Sequence, residues 1–280
     1  MSIAHGSPVY GVVSVGSLVH VIRENSTLIQ VYDASNSLFR DLSPMNVLGK
    51  IGYYDMVYLP IRNSLALLNW FNSYEVFIIS LDHPYTLKSF MFTTTLTSAA
   101  LAVDKNEAGD DDLIIVTQST TRNITVFTPD GKLVLAFRLL INKDPRQAIK
   151  LPGNLYATTF GYEPTESHYV CRFNKEGYIV GRCFGGRPGN SLSQVNVPAR
   201  LQFVSDFVVL ADMKNKRILK IARNMTNGEV LLEGISNPYR LQVDEKNGYL
   251  YVAENELGST GLAISGKVNV YAFDKPEPPQ

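Results

Sequence analysis

The side chains of this 280-residue chain that could hold a metal or carry acid–base chemistry are four histidines, two cysteines and one acidic run. His5, His20, His83 and His168 include no pair at the spacing of metal-ligating histidines. His20, inside an apolar run, reads as a core histidine, and His83, beside Pro84, as a turn residue. The acidic run from Asp104 to Asp112 alternates oxygen ligands at Asp104 and Asn106, but it lacks the central glycine and terminal glutamate of a calcium-binding loop. It reads as a solvated hairpin loop. Neither a Gly-x-Ser-x-Gly elbow nor a phosphate-cradling loop occurs, and Gly185-Gly186-Arg187-Pro188-Gly189 is broken by proline where a helix would have to open. The expectation is no catalytic residue, no metal site and no cofactor.

Cys171 and Cys183 invite a disulfide reading. With Asn174 and Gly177 closing a turn between them, residue 180 falls opposite Cys171 and Cys183 faces the other side of the hairpin. A bridge would then need a bulge, for example at Gly181. The expectation is two free, buried thiols.

The remaining chemistry is that of recognition. Trp70, Tyr74, Tyr162 and Tyr239 combine apolar area with a polar tip, and Arg146, Arg200 and Arg240 each follow closely on a proline. Tryptophan, tyrosine and arginine dominate binding hot spots for this reason. Arg146, Arg200 and Arg240 could equally serve as salt-bridge struts between neighbouring elements. Whether these seven residues meet depends on the elements that carry them.

Those elements repeat. Short β-branched or aliphatic runs end at Tyr32, Ile79, Phe127, Phe173, Ile221 and Tyr271, spaced by 46 to 50 residues. A second apolar run precedes each by about ten residues, as in Leu113 to Val116 and Leu250 to Ala253. Thr128-Pro129-Asp130-Gly131 and Asn174-Lys175-Glu176-Gly177 supply hairpin turns to a further strand. A period of this length built from four strands is a propeller blade. The fold class is therefore all-β, a six-bladed β-propeller of four-stranded antiparallel blades. The Pro-led strand entries and the loops between second and third strands share one face of such a disc, which collects the seven aromatic and arginine residues along with Tyr53, Tyr54 and Phe160.

Val197-Pro198-Ala199-Arg200-Leu201-Gln202 and Asn237-Pro238-Tyr239-Arg240-Leu241-Gln242 match at Pro, Arg, Leu and Gln, and are followed by Val208-Val209-Leu210-Ala211-Asp212 and Leu250-Tyr251-Val252-Ala253-Glu254. Here the chain resembles the NHL-repeat family of six-bladed propellers. The first two repeats depart from that pattern, lacking the proline and the acidic residue. The resemblance implies an architecture that hosts many functions.

The sixth repeat runs into Lys275-Pro276-Glu277-Pro278-Pro279, which cannot supply a ladder strand. The N-terminal segment, with Pro8 to Ser14 as its strand-like part, is expected to close the ring on the last blade, or else to form the innermost strand of the first. Residues 1–280 read as one domain, with 1–7 and 275–280 as flexible tails. Net charge is zero, from 26 basic and 26 acidic residues, which disfavours nucleic acid or an anionic membrane as a partner. No apolar run approaches the ~18 residues of a membrane-spanning helix. Met1 to Gly16 shows no secretory signal in this numbering. The three sequons at Asn25, Asn123 and Asn224 are near chance frequency, so the compartment stays open. The function expected first is a non-catalytic scaffold presenting the aromatic and arginine face to a protein or glycan. A calcium-dependent small-molecule hydrolase with a tunnel site comes second, and single-stranded RNA binding third.

Overall fold

The computed structural model describes residues 2–24, 26, 28–33, 38–42, 53–69, 74–82, 86–93, 99–105, 111–259 and 262–273. Among these residues twenty-four strands form six four-stranded antiparallel sheets. Blade 1 comprises Val9–Val15, Leu18–Arg23, Ile29–Tyr32 and Leu38–Leu42, from the axis outward. Blade 2 comprises Tyr53–Leu59, Ser64–Asn69, Tyr74–Ser80 and Leu87–Thr93. Blade 3 follows with Ala99–Lys105, Asp112–Gln118, Asn123–Phe127 and Leu133–Arg138. Blade 4 is Pro145–Leu151, Leu155–Phe160, His168–Phe173 and the short Phe184–Gly186. Pro198–Val204, Phe207–Asp212, Arg217–Ala222 and Gly228–Glu233 make blade 5. Pro238–Asp244, Tyr249–Leu257 and Ala263–Ala272 begin blade 6.

The outer strand of blade 6 is Ser2–Gly6, which pairs antiparallel with Ala263–Ala272. The N-terminal segment therefore closes the ring. The closing residues are Ser2–Gly6 and not Pro8 to Ser14, and that stretch holds the innermost strand of blade 1 instead. Ser2–Gly6, expected within a tail, forms a strand of blade 6; residues 275–280 lie outside those described.

Apolar side chains alternate to both faces of each sheet and pack between blades. Ile22, Ile29, Leu65, Leu67 and Phe77 fill the gap between blades 1 and 2, with the Tyr53 ring edge-on to Phe77. Val9, Val21, Tyr251 and Val268 fill the gap between blades 6 and 1, where the ring closes. The outer strand of blade 3 faces solvent along most of its length, which is why its apolar alternation is weaker.

The two cysteines are bridged, contrary to the expectation of free thiols. Phe173 stands opposite Ile179, but Val170 stands opposite Phe184, so the register slips by two residues within the hairpin. Gly181, at φ +75°, takes up the slip. Cys183 thereby moves opposite Cys171, with their Cα atoms 4.3 Å apart. Replacing both cysteines by serine should lower the unfolding free energy by about 2–4 kcal/mol. Urea unfolding of wild type and variant, each with and without reductant, measures this; reductant should move the wild-type midpoint only.

Candidate functional site

An innermost strand has one edge without a ladder partner, and its N–H and C=O groups face the tunnel. Side chains from neighbouring blades satisfy them. Gln147 of blade 4 donates to Leu101 O at 3.1 Å and accepts from Leu201 N at 2.7 Å, joining blades 3, 4 and 5. Gln202 binds both backbone groups of Val243 in blade 6, at 3.0 and 2.7 Å. Gln242 accepts from Ser14 N at 3.0 Å in blade 1. Thr117 accepts from Ala148 N, and Asn255 binds both backbone groups of Val9.

The third residue of each inner strand occupies one level of the ring. In chain order these are Gly11, Asp55, Leu101, Gln147, Arg200 and Arg240. A register shift ahead of it, seen in every blade but the third, turns the strand at this level. Asp55 is 0% exposed. Its carboxylate accepts from Met56 N at 2.9 Å and from Leu101 N at 2.7 Å. Arg200, three blades away and 5% exposed, donates to it bidentately at 2.7 and 2.9 Å. This fork-to-carboxylate pair spans the ring.

Arg240, 6% exposed, stands beside it with Nε 3.5 Å from Asp55 Oδ1. Its guanidinium donates to Tyr10 O at 2.8 Å and Tyr54 O at 3.3 Å, and lies 4.2 Å above the Tyr239 ring. Gly11 makes room at this level, since a Cβ there would sit 2.7 Å from the Ile22 side chain and 3.0 Å from Met56. One buried carboxylate thus serves two buried guanidiniums. Burial pushes the Arg200 pKa down, with the neighbouring Arg240 charge adding to it against Asp55. Burial opposes the charge on Arg240 too, yet Tyr239, Asp55 and Tyr54 together hold its pKa above the ordinary value.

This plug separates two mouths. The wider one, a funnel of 1450 Å³ bounded by Tyr58, Lys150, Gln202 and Asp244, opens on the far face. On the Pro-led face lies a cup of 520 Å³ lined by Tyr10, Tyr54, Arg146, Tyr162 and Tyr239 among others. The Tyr54 and Tyr239 hydroxyls are 3.1 Å apart, and the Tyr10 ring packs at 5.4 Å on Tyr54 and 6.2 Å on Tyr239. Tyr162 is 58% exposed and carries the Arg146 guanidinium 5.0 Å from its ring centroid. The two facing phenols cannot both ionise. Burial raises the Tyr239 pKa, but the Arg240 and Arg146 charges and the hydrogen bond from Tyr54 outweigh it, leaving it lowered. Tyr54 is raised, first by Tyr239 and then by burial.

Of the residues expected to form a binding face, Arg146, Tyr162 and Tyr239 do meet, in the cup. Arg200 and Arg240 do not project from the face; both are buried in the plug. The physical reason is phase: Arg146 and Tyr239 are one residue past the proline, whereas Arg200 and Arg240 are two past it, on the other side of a strand. Trp70 and the side chain of Tyr74 lie outside the described residues. Tyr53 and Phe160 are core residues. His168 is fully engaged, its Nε2 with Glu163 O at 2.9 Å and its Nδ1 accepting from Val197 N at 3.0 Å. Sequence reasoning missed Tyr10 and Asp55. A lone acid in the apolar strand Tyr53–Leu59 was the available signal for Asp55.

Among the described residues no group of three or more His, Cys, Asp or Glu could hold a metal ion. None of their helices is long and apolar enough to cross a membrane.

Architecture and tunnel define the chain as a six-bladed β-propeller, and solved structures agree. Similar folds include Raptor from Chaetomium thermophilum, at TM-score 0.61 and 14% identity over 99% of this chain, which spans only 25% of that one. Virginiamycin B lyase from Staphylococcus aureus matches at 0.58 and 12% identity, over 95% of this chain and 85% of the lyase. A protein of unknown function from Bacteroides thetaiotaomicron matches at 0.67 and 13%, over 96% of this chain and 70% of that one. No family model matches the chain. No curated protein matches it either. At such identities the likeness is one of fold, and this fold carries enzymes and other proteins alike.

Asp55→Ala should cost about 3–5 kcal/mol, because it strands two buried guanidiniums. Tyr162→Ala should stay within about 0.5 kcal/mol of wild type. Urea unfolding of the two variants checks the contrast. Absorbance at 295 nm during alkaline titration should show one tyrosine ionising below the ordinary phenol range, and Tyr239→Phe should remove that step.

Proposed function

We propose that the protein is a non-catalytic binding scaffold that receives a partner protein on its Pro-led face, at the cup. The observation that carries this reading is the cup itself. It is concave and lined by Tyr10, Tyr54, Tyr162 and Tyr239 with Arg146, and Tyr54 and Tyr239 are held by each other and by Arg240, so this part of its wall is fixed before anything binds. Rigid aromatic rings with polar tips supply contact area at small entropic cost. The NHL-like repeats at Pro198 and Pro238 support an architecture suited to such a face.

The hydrolase reading draws no comparable support. Asp55, in the middle of the tunnel, is engaged by two guanidiniums and two backbone N–H groups, and His168, on the third strand of blade 4, by backbone on both nitrogens. A cation placed near Asp55 would meet Arg200 and Arg240 at close range.

Tyr162→Ala and Arg146→Ala should each weaken binding of the natural partner by about 1–3 kcal/mol, with the melting temperature unchanged. Titration calorimetry against that partner measures it. Wild-type affinity in both variants would overturn the reading. A chelator should leave the melting temperature where it is; a fall of several degrees would put the calcium-dependent hydrolase first.

A further inference from the structure

We propose that the cup binds an acidic peptide segment by seating a carboxylate side chain against Arg146. This rests on the scaffold reading above and specifies what that face recognises.

Arg146 is the one arginine at this mouth that meets no carboxylate among the described residues. Its Nη1 is buried without a hydrogen-bond partner. Stacking on Tyr162 engages the face of the guanidinium, and a stacked guanidinium keeps its in-plane N–H donors for an anion. A guanidinium that no carboxylate balances favours an anion at its accessible N–H groups, and a carboxylate is the partner whose geometry matches its fork.

The surrounding charge points the same way. Arg200 and Arg240 share the single carboxylate of Asp55, leaving one positive charge in excess, and Arg240 packs on the Tyr54 and Tyr239 rings that line the cup. Both Arg240 and Arg146 act on the Tyr239 hydroxyl and favour its ionised form. The acids at the rim are spent elsewhere or in water. Glu166 accepts from Tyr162 N at 3.1 Å and Glu163 N at 3.4 Å and pairs with Lys143 at 3.9 Å. Asp144, Glu163 and Lys214 are exposed.

The rim favours a peptide over a sugar. Leu257, Leu262 and Ala263 line the cup, and Leu262 is 72% exposed. Aliphatic side chains on one side of the carboxylate site suit apolar residues flanking a glutamate or aspartate, whereas a uronic acid ring has no use for them. A volume of 520 Å³ holds an acidic side chain together with its neighbours.

The probes are two labelled pentapeptides, one with glutamate between two leucines and one with glutamine in its place. Fluorescence anisotropy with the full chain should give at least about tenfold tighter binding of the glutamate peptide. Arg146→Gln should erase the difference. Independently of any variant, the bound glutamate peptide should move the lowest tyrosine ionisation of the wild type upward at 295 nm, because a second anion then stands beside Tyr239; the glutamine peptide should not. Equal binding of the two peptides, binding of neither, or discrimination that persists in Arg146→Gln overturns the proposal. If the peptides fail while Tyr162→Ala still weakens the natural partner, the scaffold reading stands and the carboxylate reading falls. If the glutamate peptide discriminates but the natural partner ignores both cup variants, the carboxylate site stands and the scaffold reading falls.

Discussion

Six inner strand edges face one another across the axis of this ring, and their backbone groups have no strand to pair with. Water could satisfy them in a wide tunnel, but here side chains do so. Gln147, Gln202 and Gln242 each reach from one blade to the backbone of the next, and Asp55 adds Leu101 N to the same belt. An amide side chain suits this because it offers a donor and an acceptor a short distance apart, as an adjoining strand would. The belt works circumferentially, holding each blade to its neighbour near the axis, where the apolar gaps between sheets are narrowest.

The Asp55–Arg200 pair works along a diameter instead. It holds blade 2 to blade 5, which share no blade-to-blade packing, and with Arg240 it fills the middle of the tunnel. A buried ion pair of this kind contributes little net stability over an apolar filling, because both charges leave water. Its structural effect is on shape. The channel becomes two concavities of different size and chemistry: Arg200 and Arg240 border the larger, and the tyrosines packed on Arg240 border the smaller.

Much of the architecture was legible because it is written in local pattern. Strand runs such as Ile218 to Ile221 and turns such as Asn174 to Gly177 are set by β-branching, alternation and glycine, and their recurrence counts the blades. The closing strand was legible only in part. Something had to replace the strand that the C-terminal prolines forbid, but Ser2–Gly6 lacks the β-branched density of Val9–Val15, so composition drew attention to the wrong one. The disulfide was obscured by a two-residue slip at Gly181, which no pattern of apolar residues encodes. In the site, Tyr239, Arg146 and Tyr162 could be placed on one face, but their separation from Arg200 and Arg240 turns on one residue of phase after a proline. Asp55 and Arg200 lie 145 residues apart, and only alignment of the repeats by ring level brings them together.

Ring closure by Ser2–Gly6 also bears on the order of assembly. Within the ring, Ser2–Gly6 precedes every other strand and its partner Ala263–Ala272 follows every other strand, so the earliest strand of the ring is the last to find its place. Five blades can form from neighbours in sequence as they emerge, but the sixth joins residues more than 250 positions apart. Such a contact contributes strongly to contact order and becomes favourable only once the other blades have brought the two ends together. Until then the outer edge of blade 6 is an unpaired strand, and an identical segment from a second molecule fits it as well as the chain's own. At high concentration the closing strand is thus the point at which this ring can trade ends with another copy.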